Sequence, residues 1–336
     1  MLKTRKVIFS EPGKVQLYTE DFDDSNIPAG HVLLKNHYSL ISTGTELACL
    51  DGLEDWFTMP AVPGYVCVGE IVKKAEDITD YQVGDIIYNY GGHQEYNIMP
   101  VTGCFCKVPS AISEKYVPLI RMATIALAAV RAADIQLGDY VAVTGQGTIG
   151  IMAAQLAHLQ GAVSIGIDRH DSRLSIAEEC QVDYTVNPKS TNTALKIQEL
   201  TEGRMLNTLI EAIGNTQVIM DSMEYMAKNG EIVLLGTPRT QYVHNCADAF
   251  FKVFHSDYNL RFKGAHEWKD PYEPDSFVKH SIIRNTKAVM DYMAQDRIIY
   301  KPLLTHVVRP EECRDIYHAL GNDKETYLGV VFDWTK

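Results

Sequence analysis

The sequence predicts an α/β protein with two domains, one β-rich and one built on a doubly wound parallel sheet. Up to about residue 117, short β-branched and aromatic runs alternate with Gly, Pro and Asp. From about residue 118, β-runs recur at helix-length intervals, which is typical of parallel strands joined by crossover helices. The length of 336 residues is about twice that of an average domain of ~150 residues.

In the β-rich part we predict strands at residues 32–42, 66–72 and 85–90. The second part opens with a strand at 140–145 and a helix at 149–161 that ends at Gly161. Later elements follow in order: strands at 164–168, 208–214, 231–236 and 259–265, an amphipathic helix at about 279–295, and a β-run at 327–334. The last two elements either close the second domain or return to the first.

Charge and composition restrict the classes of partner. The net charge of −12 and the pI near 5.4 have the wrong sign for binding nucleic acid or an anionic membrane, so we expect small-molecule partners. No apolar stretch approaches the ~20 residues of a membrane helix, and no secretory signal is evident, so we expect a cytoplasmic protein. The seven cysteines contain no CxxC pair, which argues against a disulfide framework or a zinc ribbon.

The segment Gly145-Gln146-Gly147-Thr148-Ile149-Gly150 is a GxGxxG motif between a predicted strand and a predicted helix. Gly145 permits a tight turn, Gly147 lets backbone approach a pyrophosphate, and Gly150 lets helix and strand pack closely. The free N–H groups at the N-terminus of this helix are suited to bind phosphates, so we expect cofactor contacts from Thr148 and Ile149. The alternative is a glycine-rich structural turn.

Asp168 lies at the end of the next predicted strand, 18 residues after Gly150. An acidic residue at about this spacing accepts hydrogen bonds from the adenosine ribose and repels a 2′-phosphate, which favours NAD over NADP. Arg169 and Arg173 weaken this preference, because an arginine here can stack on adenine or bind a phosphate. Both arginines can equally be solvated surface charges.

At this point the chain resembles the medium-chain dehydrogenase/reductase superfamily, the alcohol dehydrogenase-like proteins, over nearly all its length. The motifs that carry the likeness recur in the family's order: VLLKNHYSLISTGTEL, VPGYVCVGEIV, VGDIIYNYGGHQEY, TIALAAVRAADIQLGDYVAVTGQGTIG, LLGTPR, LRFKGA and KPLLTHVVRPEECRDIYHAL. The resemblance implies a GroES-like catalytic domain split over residues 1–120 and 266–336, around a Rossmann domain at 121–265. It also implies further cofactor contacts from Thr124, Ile213, Gly236, Thr237, Ala265 and His266.

The chain departs from the zinc-binding members at their catalytic metal ligands. The family's Cys, His and Glu positions are Thr43, Tyr65 and Val66 here, and Ile120 and Arg121 stand around a further ligand site. None of these is a good zinc ligand. We therefore predict no metal and a zinc-free branch, loosely similar through STGTEL and VPGYxxVG to the bacteriochlorophyllide a dehydrogenase type.

Without zinc, another group must stabilise the developing alkoxide and exchange its proton. Tyr65 could point its hydroxyl at the reacting oxygen, or it could simply fill the space of the metal. Thr45 matches the family's proton-relay hydroxyl. His93 is either a proton carrier or a histidine satisfied within its turn, and Glu46 is either structural or a carboxylate base. We predict a substrate pocket that contains Thr43, Trp56, Tyr65 and His93, although packing is the alternative for the tryptophan.

Three functional hypotheses follow from these residues. The first is a zinc-independent, NAD(H)-dependent oxidoreductase that interconverts a secondary alcohol and a ketone of a sugar, cyclitol or larger hydroxylated metabolite. The second is an NADPH-dependent quinone or enoyl reductase, and the third is a cofactor-binding protein without catalysis. The family resemblance also places the strand at 259–265 at a sheet edge that pairs with a twin, which predicts a homodimer.

Overall fold

A computed structural model describes residues 2–336, which divide into two compact units. The first unit contains the residues up to Arg121, together with Thr286–Ala294 and Leu303–Lys336. The second unit contains Met122–Asn285 and Gln295–Pro302. Among the described residues, no helix is both long enough and apolar enough to cross a membrane.

The first unit opens with β-structure and one helix: β1 (Leu2–Glu11), β2 (Lys14–Phe22), β3 (His31–Leu40), α1 (Thr43–Leu50), β4 (Cys67–Lys74), β5 (Ile86–Asn89), β6 (Tyr96–Pro100) and β7 (Cys106–Lys107). The strands predicted at 32–42, 66–72 and 85–90 are confirmed as β3, β4 and β5. β1 and β2 form an antiparallel hairpin that the sequence analysis did not identify.

The chain then continues through α2 (Leu119–Ala132), β8 (Tyr140–Thr144), α3 (Thr148–Leu159), β9 (Val163–Ile167), α4 (Asp171–Glu179), β10 (Tyr184–Val186), α5 (Thr193–Leu200), β11 (Leu206–Glu211), α6 (Thr216–Ser222), β12 (Met226–Leu234), α7 (Cys246–Phe254) and β13 (Arg261–Gly264). These strands form one six-stranded parallel sheet in the order β10-β9-β8-β11-β12-β13. The predicted doubly wound α/β class is confirmed, and the strand order reverses between β8 and β11, where such sheets bind ligands.

Apolar side chains on both faces of the parallel sheet form the core of the second unit. Ile165, Leu209 and Ile232 on the inner strands are fully buried. On α3 the fully buried side chains are mostly small, among them Ala153 and Ala157, so the helix can approach β8 and β9 closely. Each large aliphatic side chain buried in this way contributes roughly 1.5–3 kcal/mol.

The remaining elements are α8 (Ile282–Ala294), β14 (Leu304–Val308), α9 (Cys313–Asn322) and β15 (Gly329–Asp333). The predicted helix at 279–295 is α8, and the β-run at 327–334 is β15. β15 pairs antiparallel with β3, so the end of the chain returns to the first unit. There it completes a seven-stranded sheet in the order β14-β15-β3-β4-β5-β7. The seventh strand, β6, pairs antiparallel with the first half of β3, from His31 to Lys35.

Candidate active site

The glycine motif forms the turn between β8 and the N-terminus of α3. Gly145 has a positive φ of 85°, which favours glycine. A Cβ on Gly150 would lie 1.8 Å from the Gly145 carbonyl oxygen, so this residue must also be glycine. Gly147 differs, because a Cβ there would meet no protein atom within 4 Å. The open space lies beside the first N–H groups of α3, which fits the pyrophosphate of a nicotinamide dinucleotide.

Asp168 follows β9 and is held rigidly. Its Oδ2 accepts the Gln146 backbone N–H at 2.8 Å, and its Oδ1 accepts the His170 backbone N–H at 2.9 Å. The Arg173 Nη1 atom is 3.8 Å from Oδ2, whereas Arg169 is exposed. The carboxylate is therefore anchored beside the glycine loop, and a neighbouring guanidinium offsets part of its charge.

Several of the other predicted cofactor residues follow the carboxyl ends of parallel strands: Ile213 follows β11, Gly236 and Thr237 follow β12, and Ala265 and His266 follow β13. A Cβ on Gly145 would lie 2.7 Å from Ile213 Cγ1, and one on Gly236 would lie 2.3 Å from the Gly214 nitrogen. The loops after β8, β11 and β12 are thus in contact with each other at the carboxyl ends of these strands. Thr124 is buried in α2.

Gln146, inside the glycine motif, has a role that the sequence analysis missed. Its side chain is fully buried and donates from Nε2 to the Val143 carbonyl at 2.8 Å. A Cβ on Gly166 in β9 would lie 2.8 Å from Gln146 Cδ. A lone glycine inside an otherwise β-branched run is the signal that could have indicated this close approach.

In the first unit, Tyr65 lies in a cluster of hydroxyl groups at the start of α1. Its Oη donates to Ser42 Oγ, and the Thr45 side chain is close enough to oppose the upward shift of the Tyr65 pKa. Ser42 is the N-cap of α1, but its hydroxyl makes no capping bond. The Ser42 N–H donates to Glu46 Oε1 at 2.7 Å, and the Ser42 hydroxyl accepts the hydrogen bond from Tyr65. The structure thus brings together Tyr65 and Thr45, the predicted proton donor and relay.

Arg121 lies against the same tyrosine. Its guanidinium carbon is 5.4 Å from the centre of the Tyr65 ring and 4.5 Å from that of Tyr90, and Nη1 donates to Tyr90 Oη at 2.8 Å. Burial raises the pKa of Tyr65 above its ordinary value, and the Arg121 charge and the Ser42 hydrogen bond oppose that shift. From the sequence alone, Arg121 stands near a lost ligand position and has no assigned role.

Glu46 and His93 form a buried network beneath this cluster. His93 Nε2 is 2.9 Å from Glu46 Oε2, which also accepts the Tyr317 hydroxyl. His93 Nδ1 is 2.7 Å from Ser39 Oγ, so both ring nitrogens are engaged, and the ring is 0% exposed. This arrangement corresponds to the alternative of a histidine satisfied within the fold, and the proton-carrier and base roles of His93 and Glu46 stay predictions.

The His93 ring also sets the backbone that carries Tyr65. Gly64 has a positive φ of 89°, and a Cβ there would lie 2.8 Å from three atoms of the His93 ring. The histidine therefore packs directly against the residue before Tyr65, and only glycine fits that position.

The other two predicted pocket residues lie elsewhere in the first unit. Thr43 is the first residue of α1 and is partly buried. Trp56 is 64% exposed on the loop after α1, donates to Glu54 Oε2 at 2.6 Å, and packs edge-on against Phe57. Their contact with a substrate stays a prediction.

The chemistry of the side chains at the predicted ligand positions does not fit zinc. Two are the weakly ligating hydroxyls of Thr43 and Tyr65, Val66 is apolar and fully buried, and Arg121 is a cation that repels a metal ion. Within residues 2–336, no group of three or more His, Cys, Asp or Glu side chains is arranged to hold a metal.

Comparisons with known proteins agree with this architecture. Residues 148–268 match the family described as "Zinc-binding dehydrogenase". An uncharacterized zinc-type alcohol dehydrogenase-like protein of Haemophilus influenzae is 25% identical over 318 residues, covering 85% of this chain and 87% of that protein. D-guloside 3-dehydrogenase of Escherichia coli is 33% identical over 200 residues, covering 59% of this chain and 53% of that protein. The family match and these relatives agree with the resemblance of the chain to the medium-chain dehydrogenase/reductase superfamily.

The solved structures establish the fold over the whole chain. A zinc-binding dehydrogenase of Sinorhizobium meliloti, bound to NADP, superposes with a TM-score of 0.82 at 19% identity, covering 99% of this chain and 100% of that one. The expected Rossmann-plus-GroES-like fold is thereby confirmed. The relatives are named as dehydrogenases, which supports an NAD(P)-dependent oxidoreductase.

Proposed function

We propose that this dehydrogenase interconverts a secondary alcohol and a ketone without a metal, and that Tyr65 exchanges the proton. The bound nicotinamide would accept the hydride from the carbinol carbon or return it. In ketone reduction Tyr65 Oη gives its proton to the carbonyl oxygen as the hydride arrives, and in alcohol oxidation the ionised oxygen takes that proton back.

One observation supports this proposal: Tyr65, at the position where the family resemblance expects a metal ligand, donates its hydroxyl to Ser42 and lies beside Thr45. The two hydroxyls supply a path by which the proton on Tyr65 is restored, so Thr45 keeps its predicted relay role. Glu46 and His93 fix the start of α1 and the backbone at Gly64.

We propose a hydroxylated metabolite, such as a glycoside, polyol or cyclitol, as the substrate. The supporting observation is the likeness to D-guloside 3-dehydrogenase, whose name describes a sugar derivative oxidised at a ring carbon. Two backbone N–H groups hold the Asp168 carboxylate, which is of the type that binds ribose hydroxyls and repels a 2′-phosphate. Asp168 therefore supports NAD(H) as the preferred cofactor.

The alternative is an NADPH-dependent quinone or enoyl reductase. Arg173, 3.8 Å from Asp168, is the observation that favours it, because a guanidinium here can also receive a 2′-phosphate. The NADP-bound Sinorhizobium meliloti structure shows that the fold accommodates this cofactor.

We also propose a homodimer in the cytoplasm. β13 is an edge strand of the parallel sheet, and α7, which precedes it, exposes the apolar side chains of Phe250, Phe251 and Phe254. An exposed edge beside an apolar patch is well suited to pairing with a second copy. All seven cysteines are free thiols, which suits a reducing compartment.

A single screen tests the proposed activity. Purified protein is measured for zinc, treated with a chelator, and assayed with glycosides, polyols and cyclitols against quinones and enones, each with NAD(H) and NADP(H). We expect well under one zinc per chain, unchanged activity after chelation, and turnover of a secondary alcohol. Stoichiometric zinc with chelator-sensitive turnover, or turnover of quinones or enones alone, would refute the proposal. A cofactor-binding protein without catalysis would instead show compounds that raise its melting temperature in a thermal-shift assay but are not turned over.

A further inference from the structure

Arg121 occupies a position that is unfavourable for a cation. Its side chain is 4% exposed and lies in the first turn of α2, which contains no acidic residue. The N-terminus of a helix is already the positive end of its dipole, and removing a guanidinium from water is costly. An arginine here therefore requires an explanation from its surroundings.

Two tyrosine rings provide the contacts that fix the guanidinium. It lies over the faces of both Tyr90 and Tyr65, at 4.5 and 5.4 Å from the ring centres, and its hydrogen bond to Tyr90 Oη fixes its orientation. Arginine suits such a site because its planar group stacks on rings while it keeps its charge at every accessible pH. The positive charge is consequently held beside Tyr65.

We infer that Arg121 supplies the fixed positive charge that replaces the metal ion, and that it stabilises the negative charge formed on Tyr65 when that residue gives its proton to the substrate. This inference rests on the proposed function of Tyr65. Arg121 acts through the tyrosine, so it is a positioning residue. In ketone reduction the tyrosinate forms beside the guanidinium, and in alcohol oxidation the tyrosinate held there accepts the proton.

The groups around Tyr65 give the expected direction of the effect. Arg121 is the cation that favours the ionised tyrosine, and Ser42 and Thr45 stabilise it further through hydrogen bonds. Glu46 opposes ionisation through its charge, and burial opposes it most strongly. An opposite charge within about 4–6 Å favours the ionised form of a buried group. Removal of Arg121 therefore leaves Tyr65 beside Glu46 without that compensation.

Steady-state kinetics with the alcohol found in the screen give the first test, using Arg121→Met and Arg121→Lys. We expect Arg121→Met to lower kcat about 10- to 100-fold, with little change in KM. This is less than the roughly 10²- to 10³-fold cost of removing a donor that contacts the reacting oxygen, because Arg121 acts through Tyr65. Ionised Tyr65 is the base in alcohol oxidation, so the rising limb on the acidic side of that pH profile should move to higher pH. Arg121→Lys should restore part of both effects. Arg131→Met removes another arginine from α2 and should keep wild-type kcat.

A purely structural role for Arg121 makes a different prediction. The melting temperature would fall in Arg121→Met, while kcat per folded molecule and the pH profile stayed at their wild-type values. That result would overturn the inference, as would an Arg121→Lys enzyme no more active than Arg121→Met.

A substrate-free titration separates this inference from the proposed function. The side-chain carbon signal of isotope-labelled Tyr65 is assigned with Tyr65→Phe and followed by NMR with increasing pH while the protein stays folded. We expect wild-type Tyr65 to ionise at lower pH than Tyr65 in Arg121→Met. Equal titration, or no titration of wild-type Tyr65, would overturn the role of Arg121. Wild-type turnover by Tyr65→Phe would instead refute the proposed acid, whatever the titration showed.

Discussion

At the scale of single residues, the first turn of α1 shows how hydrogen-bond partners can be reassigned. A serine at a helix N-cap ordinarily accepts a backbone N–H with its hydroxyl, but the Ser42 hydroxyl accepts the Tyr65 Oη–H instead. Glu46 takes the Ser42 N–H instead, and His93 and Tyr317 hold Glu46 in place. A buried set of four groups thereby keeps one phenol hydroxyl in a fixed position.

Asp168 carries the first prediction. We expect the wild-type protein to bind NADH more tightly than NADPH by roughly 10- to 100-fold, since a phosphate beside a carboxylate costs on the order of 1–3 kcal/mol. Asp168→Asn removes the charge but retains an oxygen for a backbone N–H, so it should narrow the ratio. Asp168→Ala, which retains no such oxygen, should narrow or reverse it. Fluorescence titration with both cofactors measures this ratio.

If the wild-type protein bound NADH and NADPH equally tightly, the result would contradict the proposed role of Asp168 in excluding the 2′-phosphate. It would indicate that Arg173, 3.8 Å away, neutralises the carboxylate. Arg173→Ala should then restore a preference for NADH.

The roles of single residues could be predicted from the sequence where the motif itself defines the local backbone geometry. Gly145 and Gly150 could be assigned from spacing, because a strand-turn-helix leaves no room for a Cβ at either position. Arg121 and Tyr90 could not be paired from the sequence, because they are 31 positions apart and meet only through tertiary packing. The same holds for Tyr317, which contacts Glu46 from α9.

At the scale of elements, the turn between β8 and α3 allows a test with two matched glycine variants. A Cβ on Gly147 meets no protein atom, so Gly147→Ala should fold with an unchanged melting temperature and lose NADH affinity about tenfold or more, because the methyl group occupies the pyrophosphate space. Gly150→Ala should instead be destabilised by about 1–3 kcal/mol, because the methyl group collides with the Gly145 carbonyl. Thermal melts and NADH titrations distinguish the two variants.

Wild-type NADH affinity in Gly147→Ala would contradict the assigned cofactor site. Unchanged stability of Gly150→Ala would contradict the described packing of α3 on β8.

Element boundaries were predictable where hydrophobic runs were long. β8, β9 and α3 match their predicted ranges within one or two residues. β10 was missed, because it has only three residues, Tyr184–Val186, and Val186 is the only buried one. β1 and β2 were missed because no residue of β2 is buried and only Thr4, Val7 and Phe9 of β1 are, which gives a weak apolar signal.

At the scale of the whole molecule, the exposed face of α7 predicts the oligomeric state. We expect a dimer by sedimentation at micromolar concentration, and monomers from Phe254→Glu, since the charge would be buried against the second copy. Phe254 is 86% exposed, so the substitution should not affect the folding of a single chain. Leu195→Glu, on the exposed face of α5, is the matched control and should remain a dimer. A wild-type protein that sediments as a monomer would rule out the dimer.

The arrangement of the whole chain was largely predictable, because the parallel sheet follows from the spacing of strands and helices. The return of β15 to the first unit was left open, since its pairing with β3 joins residues nearly 300 positions apart. The sequence alone indicated which metal ligands are missing. It could not indicate that the Arg121 guanidinium lies beside the Tyr65 ring.

The most direct test of the account is the kcat of Tyr65→Phe, measured after chelation on the alcohol identified by the screen. The variant keeps the ring that packs against Arg121 and removes only the hydroxyl, so its melting temperature and NADH affinity should match those of the wild type. The account predicts a fall in kcat of about 10²- to 10⁴-fold, the usual contribution of a positioned acid. A Tyr65→Phe enzyme with wild-type kcat would contradict it.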